Sequence, residues 1–202
     1  MTEYPGDHPE PPSDLATRSP LFSKIATGTI LSRIHDRSYG PIFFGKTGRN
    51  RFDSPGGSFG VMYVGSDESC AFIETFGHST GISVVTRTEL EERHLSYLKT
   101  TQPLTLIDLA SSGALARIGA DARLFSGSHA ISQRWSAALR GHHTNPAGLL
   151  YPARHDPVRN ACALFDLPET AFEVTNVGSL IDSRHAVLLG AILDRYQFGL
   201  ID

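Results

Sequence analysis

Three short segments of the chain hold side chains whose types and order could act together. Ser32-Arg33-Ile34-His35 places a guanidinium inside a strand-like run. Arg49-Asn50-Arg51-Phe52-Asp53 places two more in a loop-like run. Val61-Met62-Tyr63-Val64 is followed closely by Ala71-Phe72-Ile73-Glu74-Thr75-Phe76, where Glu74 is a lone carboxylate in a very apolar helical pattern. Burying a carboxylate is costly unless it is paired or hydrogen-bonded, and arginines are its natural partners. Each residue also has a plain reading by itself. Arg33 would be an exposed strand residue or half of an ion pair, Arg51 a solvated loop residue, Tyr63 a core aromatic, and Glu74 part of a structural salt bridge.

Other candidate motifs fail on spacing. Gly45-Lys46-Thr47 mimics the tail of a P-loop, but Phe43 and Phe44 stand where the glycine-rich turn should be and no helix follows. There is no G-x-G-x-x-G, no H-E-x-x-H and no G-x-S-x-G. The adjacent pair His142-His143 directs its side chains apart, which suits a surface position near a helix end better than a metal site. Cys70 and Cys162 lie in apolar runs without a C-x-x-C pair and read as buried, reduced thiols. No metal site is expected.

The surrounding pattern gives the elements that would position these residues. Residues 27–35 and 60–64 read as strands, and 45–57 as a long loop, a kind of segment that is more often functional than idle. Ser66 or Asp67 caps a helix that Gly77 ends. Thr88-x-x-Glu91 reads as a capping box opening a helix over 88–95. Residues 104–109 form a buried strand, 112–118 and 120–125 short helical pieces, and 128–140 an amphipathic helix. Strands follow at 149–151, 161–165 and 172–177, and a last helix at 184–196. The elements do not alternate regularly, so the fold class expected is α+β, one domain with a mixed or antiparallel sheet and flanking helices, rather than a doubly wound sheet.

Bulk composition narrows the setting. The 202 residues are 40% hydrophobic and 19% charged, enough to bury one core. A net charge of -3 argues against a dominant nucleic-acid role. Residues 1–20 are Pro-rich and acidic, and read as a flexible arm before a domain over 21–202. Nothing resembles a signal peptide or membrane span, so a cytoplasmic setting is expected.

The stretches SRIH, RFDSPGGSFGVMYVGSDESCAFIETF and GLLYPARHDPVRNACALFD resemble, in order and spacing, the RES-domain family, named for its Arg, Glu and Ser signature. The resemblance covers about residues 30–166. It implies a fold similar to ADP-ribosylating toxins. It also implies cleavage of NAD at the nicotinamide–ribose bond, by hydrolysis or phosphorolysis, in a toxin paired with an Xre-like antitoxin. NAD would be a substrate and not a cofactor, and inorganic phosphate a possible co-substrate. Carried over by residue, Arg33, Glu74 and position 153 form the catalytic set, and Arg51, Tyr63, Tyr151 and Arg154 bind substrate. One departure matters: the family serine falls at Ala153, within Tyr151-Pro152-Ala153-Arg154.

The chemistry implied has simple demands. Breaking the bond builds positive charge on the ribose, which a carboxylate such as Glu74 stabilises. The pyrophosphate needs bidentate cations, which favours Arg over Lys. The nicotinamide needs a flat surface, from Tyr63 or Trp135. Two alternatives stay open: a mono-ADP-ribosyltransferase, and a module that binds NAD or a partner without turnover because Ala153 lacks the hydroxyl. The long C-terminal helix or the arm could serve an antitoxin or a second copy of the chain.

Overall fold

A computed structural model describes residues 9–77, 81 and 83–202. Its centre is a mixed eight-stranded sheet. In chain order the strands are β1 (Leu21–Ile25), β2 (Ile30–Asp36), β3 (Val61–Gly65), β4 (Val84–Thr86), β5 (Arg93–Thr100), β6 (Leu104–Asp108), β7 (Gly148–Ala153), β8 (Asp156–Phe165), β9 (Phe172–Gly178) and β10 (Gly199–Ile201). The large sheet runs β1-β6-β7-β8-β3-β2-β5-β9, while β10 and β4 form a separate parallel pair. Within the large sheet only β6 and β7 are parallel. Among the described residues the α-helices are α1 (Glu68–Phe76), α2 (Arg87–Glu91), α3 (Ala114–Ile118), α4 (Arg123–Ser126), α5 (His129–Arg140) and α6 (Ala186–Tyr196). This is the mixed sheet with flanking helices expected from the irregular order of elements.

The central strands read as unbroken apolar runs because both faces of the sheet are covered. Val61, Ala161, Ala163, Phe165, Leu149, Tyr151 and Ala153 face one core, which also holds Trp135 and Leu139 of α5. Their neighbours Met62, Val64, Cys162 and Leu164 face a second core with Leu31, Leu98 and Leu106. The period of two thus puts Tyr63 and Tyr151, both associated with the first core, on the same side of the sheet.

The turn from β3 into α1 is tight. A Cβ on Gly65 would stand 2.6 Å from the amide nitrogen of Ala71, so only glycine lets the helix start this close to the strand. Asp67 caps α1 by accepting the Cys70 N–H at 2.7 Å, and Gly77 closes it. Both residues do what the sequence pattern predicts.

Two expectations are corrected. The helix read over 88–95 is shorter: the capping box is Thr86 with Glu89, α2 ends at Glu91, and the chain then enters β5. Long-range pairing of β5 with both β2 and β9 outweighs the local helical pattern. His142 is buried and not a surface residue. Its two ring nitrogens lie against Thr144 Oγ1 and the Arg18 carbonyl. The described part of the N-terminal stretch lies on the first core. Leu15 is buried there, Trp135 donates its indole N–H to the Pro9 carbonyl, and Arg134 pairs with Glu10.

Candidate functional site

A cavity of about 450 Å³ opens where β2, β3, α1, the end of β7 and the 45–57 loop meet. Arg33, Arg51, Tyr63, Glu74, Tyr151 and Arg154 all line it. Residues up to 121 positions apart (Arg33 to Arg154) therefore share one concave surface of a size suited to a small ligand. Two sequence-based candidates do not reach it. Trp135 is fully buried in the first core. Ala153 is 1% exposed and lies beneath the wall, in that same core.

Glu74 projects from the second turn of α1, and its carboxylate is held from the end of β7. Oε1 accepts the backbone N–H of Arg154 at 2.9 Å, and Oε2 accepts the Tyr151 hydroxyl at 3.3 Å. The expectation that an arginine side chain pairs with Glu74 is corrected: an amide and a phenol do so. Burial pushes the Tyr151 hydroxyl well above the ordinary tyrosine range, and the nearby Glu74 adds to this. The phenol thus stays protonated and keeps donating.

The guanidinium groups are left without carboxylate partners. Among the described residues, neither Arg33, Arg51 nor Arg154 forms an ion pair. Among the described residues, Arg33 donates to the Phe43 carbonyl, at 3.2 Å. Burial lowers its pKa to about 10, which still leaves it charged at neutral pH. Arg51 donates to the Gly127 carbonyl at 2.9 Å. Burial and the like charge of Arg154 both lower its pKa. Arg33 and Arg51 are half-buried and Arg154 is exposed; cations without an ion-pair partner that line one cavity make a receptor for an anion.

The 45–57 loop is fixed by a residue to which sequence reasoning gave no role. Asp53 is fully buried. Its carboxylate accepts the Tyr63 hydroxyl at 3.0 Å and the Asn50 N–H at 3.0 Å, while the Tyr63 oxygen accepts the Phe52 N–H at 2.9 Å. Gln133 adds two bonds from α5, to the Gly48 and Asn50 carbonyls. Arg51 is thereby set between two anchored residues. The only sequence signal was the R-F-D order itself. Tyr63 turns its ring to the cavity, but its hydroxyl is fully used by the loop.

His35 also lines the cavity and is buried. Its Nδ1–H donates to the Asp36 carbonyl at 3.0 Å, and its Nε2 lies 2.9 Å from Ser96 Oγ. Burial lowers its pKa, and the charges of Arg33 and His94 lower it further. A histidine with a depressed folded-state pKa takes up its proton more readily when unfolded. The contribution of His35 to stability is therefore fully present above about pH 6.5 and is lost as pH drops below it. Melting temperatures at about pH 7.5 and about pH 5 should differ more for the parent than for His35→Gln. Equal differences would remove His35 from the acid response. Among the described residues, no group of three or more His, Cys, Asp or Glu could hold a metal ion.

Comparison with known proteins bears on the family and the fold. The chain is 36% identical over 114 residues to the probable toxin y4kH of Sinorhizobium fredii (strain NBRC 101917 / NGR234), covering 56% of this chain and 87% of that protein. Its fold is similar to a chain in the crystal structure of the M. tuberculosis MbcT–MbcA toxin–antitoxin complex, with a TM-score of 0.59, 15% identity, and coverage of 77% of this chain and 87% of that one. A sequence profile of the RES domain matches residues 30–185. That match spans well over half of the sequence, and the chain belongs to the RES-domain family.

Proposed function

We propose that the cavity binds NAD and breaks its nicotinamide–ribose bond, and that the chain is a toxin restrained by an Xre-like antitoxin. The observation that carries the chemistry is a cavity lined by Arg33, Arg51 and Arg154, none with an ion-pair partner among the described residues, and by a carboxylate held by hydrogen bonds. The arginines take the pyrophosphate as bidentate donors. Glu74, fixed from two sides, stands where positive charge grows on the ribose as the C1–N bond lengthens. Nicotinamide leaves as a neutral molecule with the bonding pair. A water or phosphate oxygen then forms the new bond to C1, and a water nucleophile releases its proton to solvent. The toxin reading draws on the likeness to y4kH and to the toxin–antitoxin complex. Among the described residues, no helix is long and apolar enough to cross a membrane.

The test is the product profile after incubation with NAD, with and without phosphate. Nicotinamide with ADP-ribose marks hydrolysis, and nicotinamide with a phosphorylated ADP-ribose marks phosphorolysis. An absence of nicotinamide defeats the reading. Ala153 favours one other reading, an NAD-binding module without turnover. Leu149, Tyr151 and Ala153 share one face of β7, so a hydroxyl at 153 would stand on the side from which Tyr151 meets Glu74. Because Ala153 lies beneath the wall, a serine there acts through the Tyr151–Glu74 pair and not on the substrate; Ala153→Ser should raise nicotinamide release by up to roughly tenfold, the worth of one hydrogen bond. An unchanged rate would separate residue 153 from the reaction.

A further inference from the structure

Tyr39 and Phe43 stand in the segment between β2 and the 45–57 loop, at the edge of the same cavity. They are 54% and 42% exposed, and their rings stack with centroids 4.8 Å apart and planes 22° from parallel. Apolar rings left open to water beside a cationic cavity mark a binding surface, because nothing in the fold uses their area. The segment is anchored at both ends. Asp36 accepts from the Ser38 N–H and hydroxyl and pairs with Arg93, while Gly45 and Val61 exchange backbone hydrogen bonds. Arg33 ties into it through the Phe43 carbonyl. Arg154 and Glu74 meet at one part of the cavity wall, where the Arg154 N–H donates to Glu74, and Arg33 meets the 39–43 segment at another, through the Phe43 carbonyl. The aromatic pair therefore belongs to the part of the wall that carries Arg33.

We propose that Tyr39 and Phe43 form a stacking platform for the purine base of the dinucleotide, with Arg33 beside it on the adjoining phosphate. This rests on the NAD reading for the identity of the substrate and adds the orientation: base at the aromatic pair, ribosyl bond to be cleaved at Glu74. Stacking on a flat ring is tolerant of base identity but requires a base. The chain therefore discriminates between a dinucleotide and nicotinamide mononucleotide, which has the scissile bond but no purine.

The test separates binding from cleavage by using ADP, which has the base and both phosphates but no nicotinamide, against pyrophosphate alone. Titration calorimetry on the whole chain should show ADP binding weakened roughly tenfold or more in Phe43→Ala and in Tyr39→Ala, with pyrophosphate binding unchanged. Phe43→Tyr should bind ADP as the parent does, and Phe43→Leu should not. Both positions are exposed, so the substitutions leave the core intact, which a melting curve verifies. The KM for NAD should rise in the alanine variants, while the rate on nicotinamide mononucleotide stays as it was. ADP binding that is absent in the parent, or equal in parent and variants, overturns the platform. Loss of nicotinamide release with ADP binding as described overturns the cleavage reading and leaves the platform standing.

Discussion

Glu74→Gln should lower the rate of nicotinamide release by roughly 10²–10³-fold with little change in KM, the size of effect seen when one preorganised electrostatic group is removed from a site. The substitution keeps the shape and removes the charge. The Gln side-chain carbonyl still accepts the Arg154 N–H, and the Tyr151 hydroxyl can turn to accept from the new amide. Both hydrogen bonds at the carboxylate therefore survive, and the variant should melt within a few degrees of the parent. What is lost is the negative charge beside a ribose that becomes positive only in the transition state. That is why kcat should bear the change and ground-state binding should not. Steady-state kinetics of nicotinamide release, set beside the melting curve, measures both. A drop in kcat/KM carried entirely by KM would make Glu74 a binding group, and equal rates would remove it from the mechanism.

The fate of Glu74 also shows where sequence reasoning stops. A carboxylate in an apolar helix announces a partner, and arginines were the obvious choice. The partners proved to be Tyr151 and a backbone amide, and no side-chain pattern encodes an amide's direction. The arginines themselves were legible as a set only through order and spacing, since each alone reads as an ordinary strand or loop residue. The strands that carry the site were legible for a physical reason: with both faces covered, β3 and β8 are short, continuous apolar runs with few other readings. The same logic fails for β5, where Arg93, His94 and Lys99 interrupt the pattern and an upstream run of helix formers extends too far. It fails again for Trp135. An aromatic on an amphipathic face serves a core or a ligand equally well until the opposite side of the helix is known, and here the core takes it.

The loop illustrates the remaining case. Glycines and arginines without a period identify a loop, but not that Asp53 lies fully buried beneath it and holds Tyr63. A buried acid that serves backbone and phenol donors leaves no mark on periodicity. Its contribution is to fix the backbone on either side of Arg51, so that a guanidinium on a segment without helix or strand is still held in place.

Removing residues 1–20 should lower stability by about 3–5 kcal/mol, although the stretch is Pro-rich, acidic and outside the matched domain profile. Burying a leucine side chain contributes about 1.5–3 kcal/mol, and Leu15 is buried in the first core. The Trp135–Pro9 hydrogen bond and those from the His142 and His143 rings to the Arg18 and Ala16 carbonyls add about 1 kcal/mol each where they are shielded from water. The Arg134–Glu10 pair is exposed on both sides and adds little. The truncated chain would also open the edge of Trp135 to solvent, so its indole fluorescence should shift to the red. Urea unfolding monitored by that fluorescence measures the loss, and Leu15→Ala should reproduce about 2 kcal/mol or more of it by itself. The loss reaches the cavity through one helix: α5 carries Trp135 on the side facing the N-terminal stretch, and Gln133, which holds the loop at Gly48 and Asn50. If α5 loosens when its cover is removed, Arg51 loosens with it, and KM for NAD rises while the rate at saturation changes less. A truncated chain as stable as the parent would mean that the domain ends where the profile does, and that these contacts contribute nothing the remaining core does not already supply.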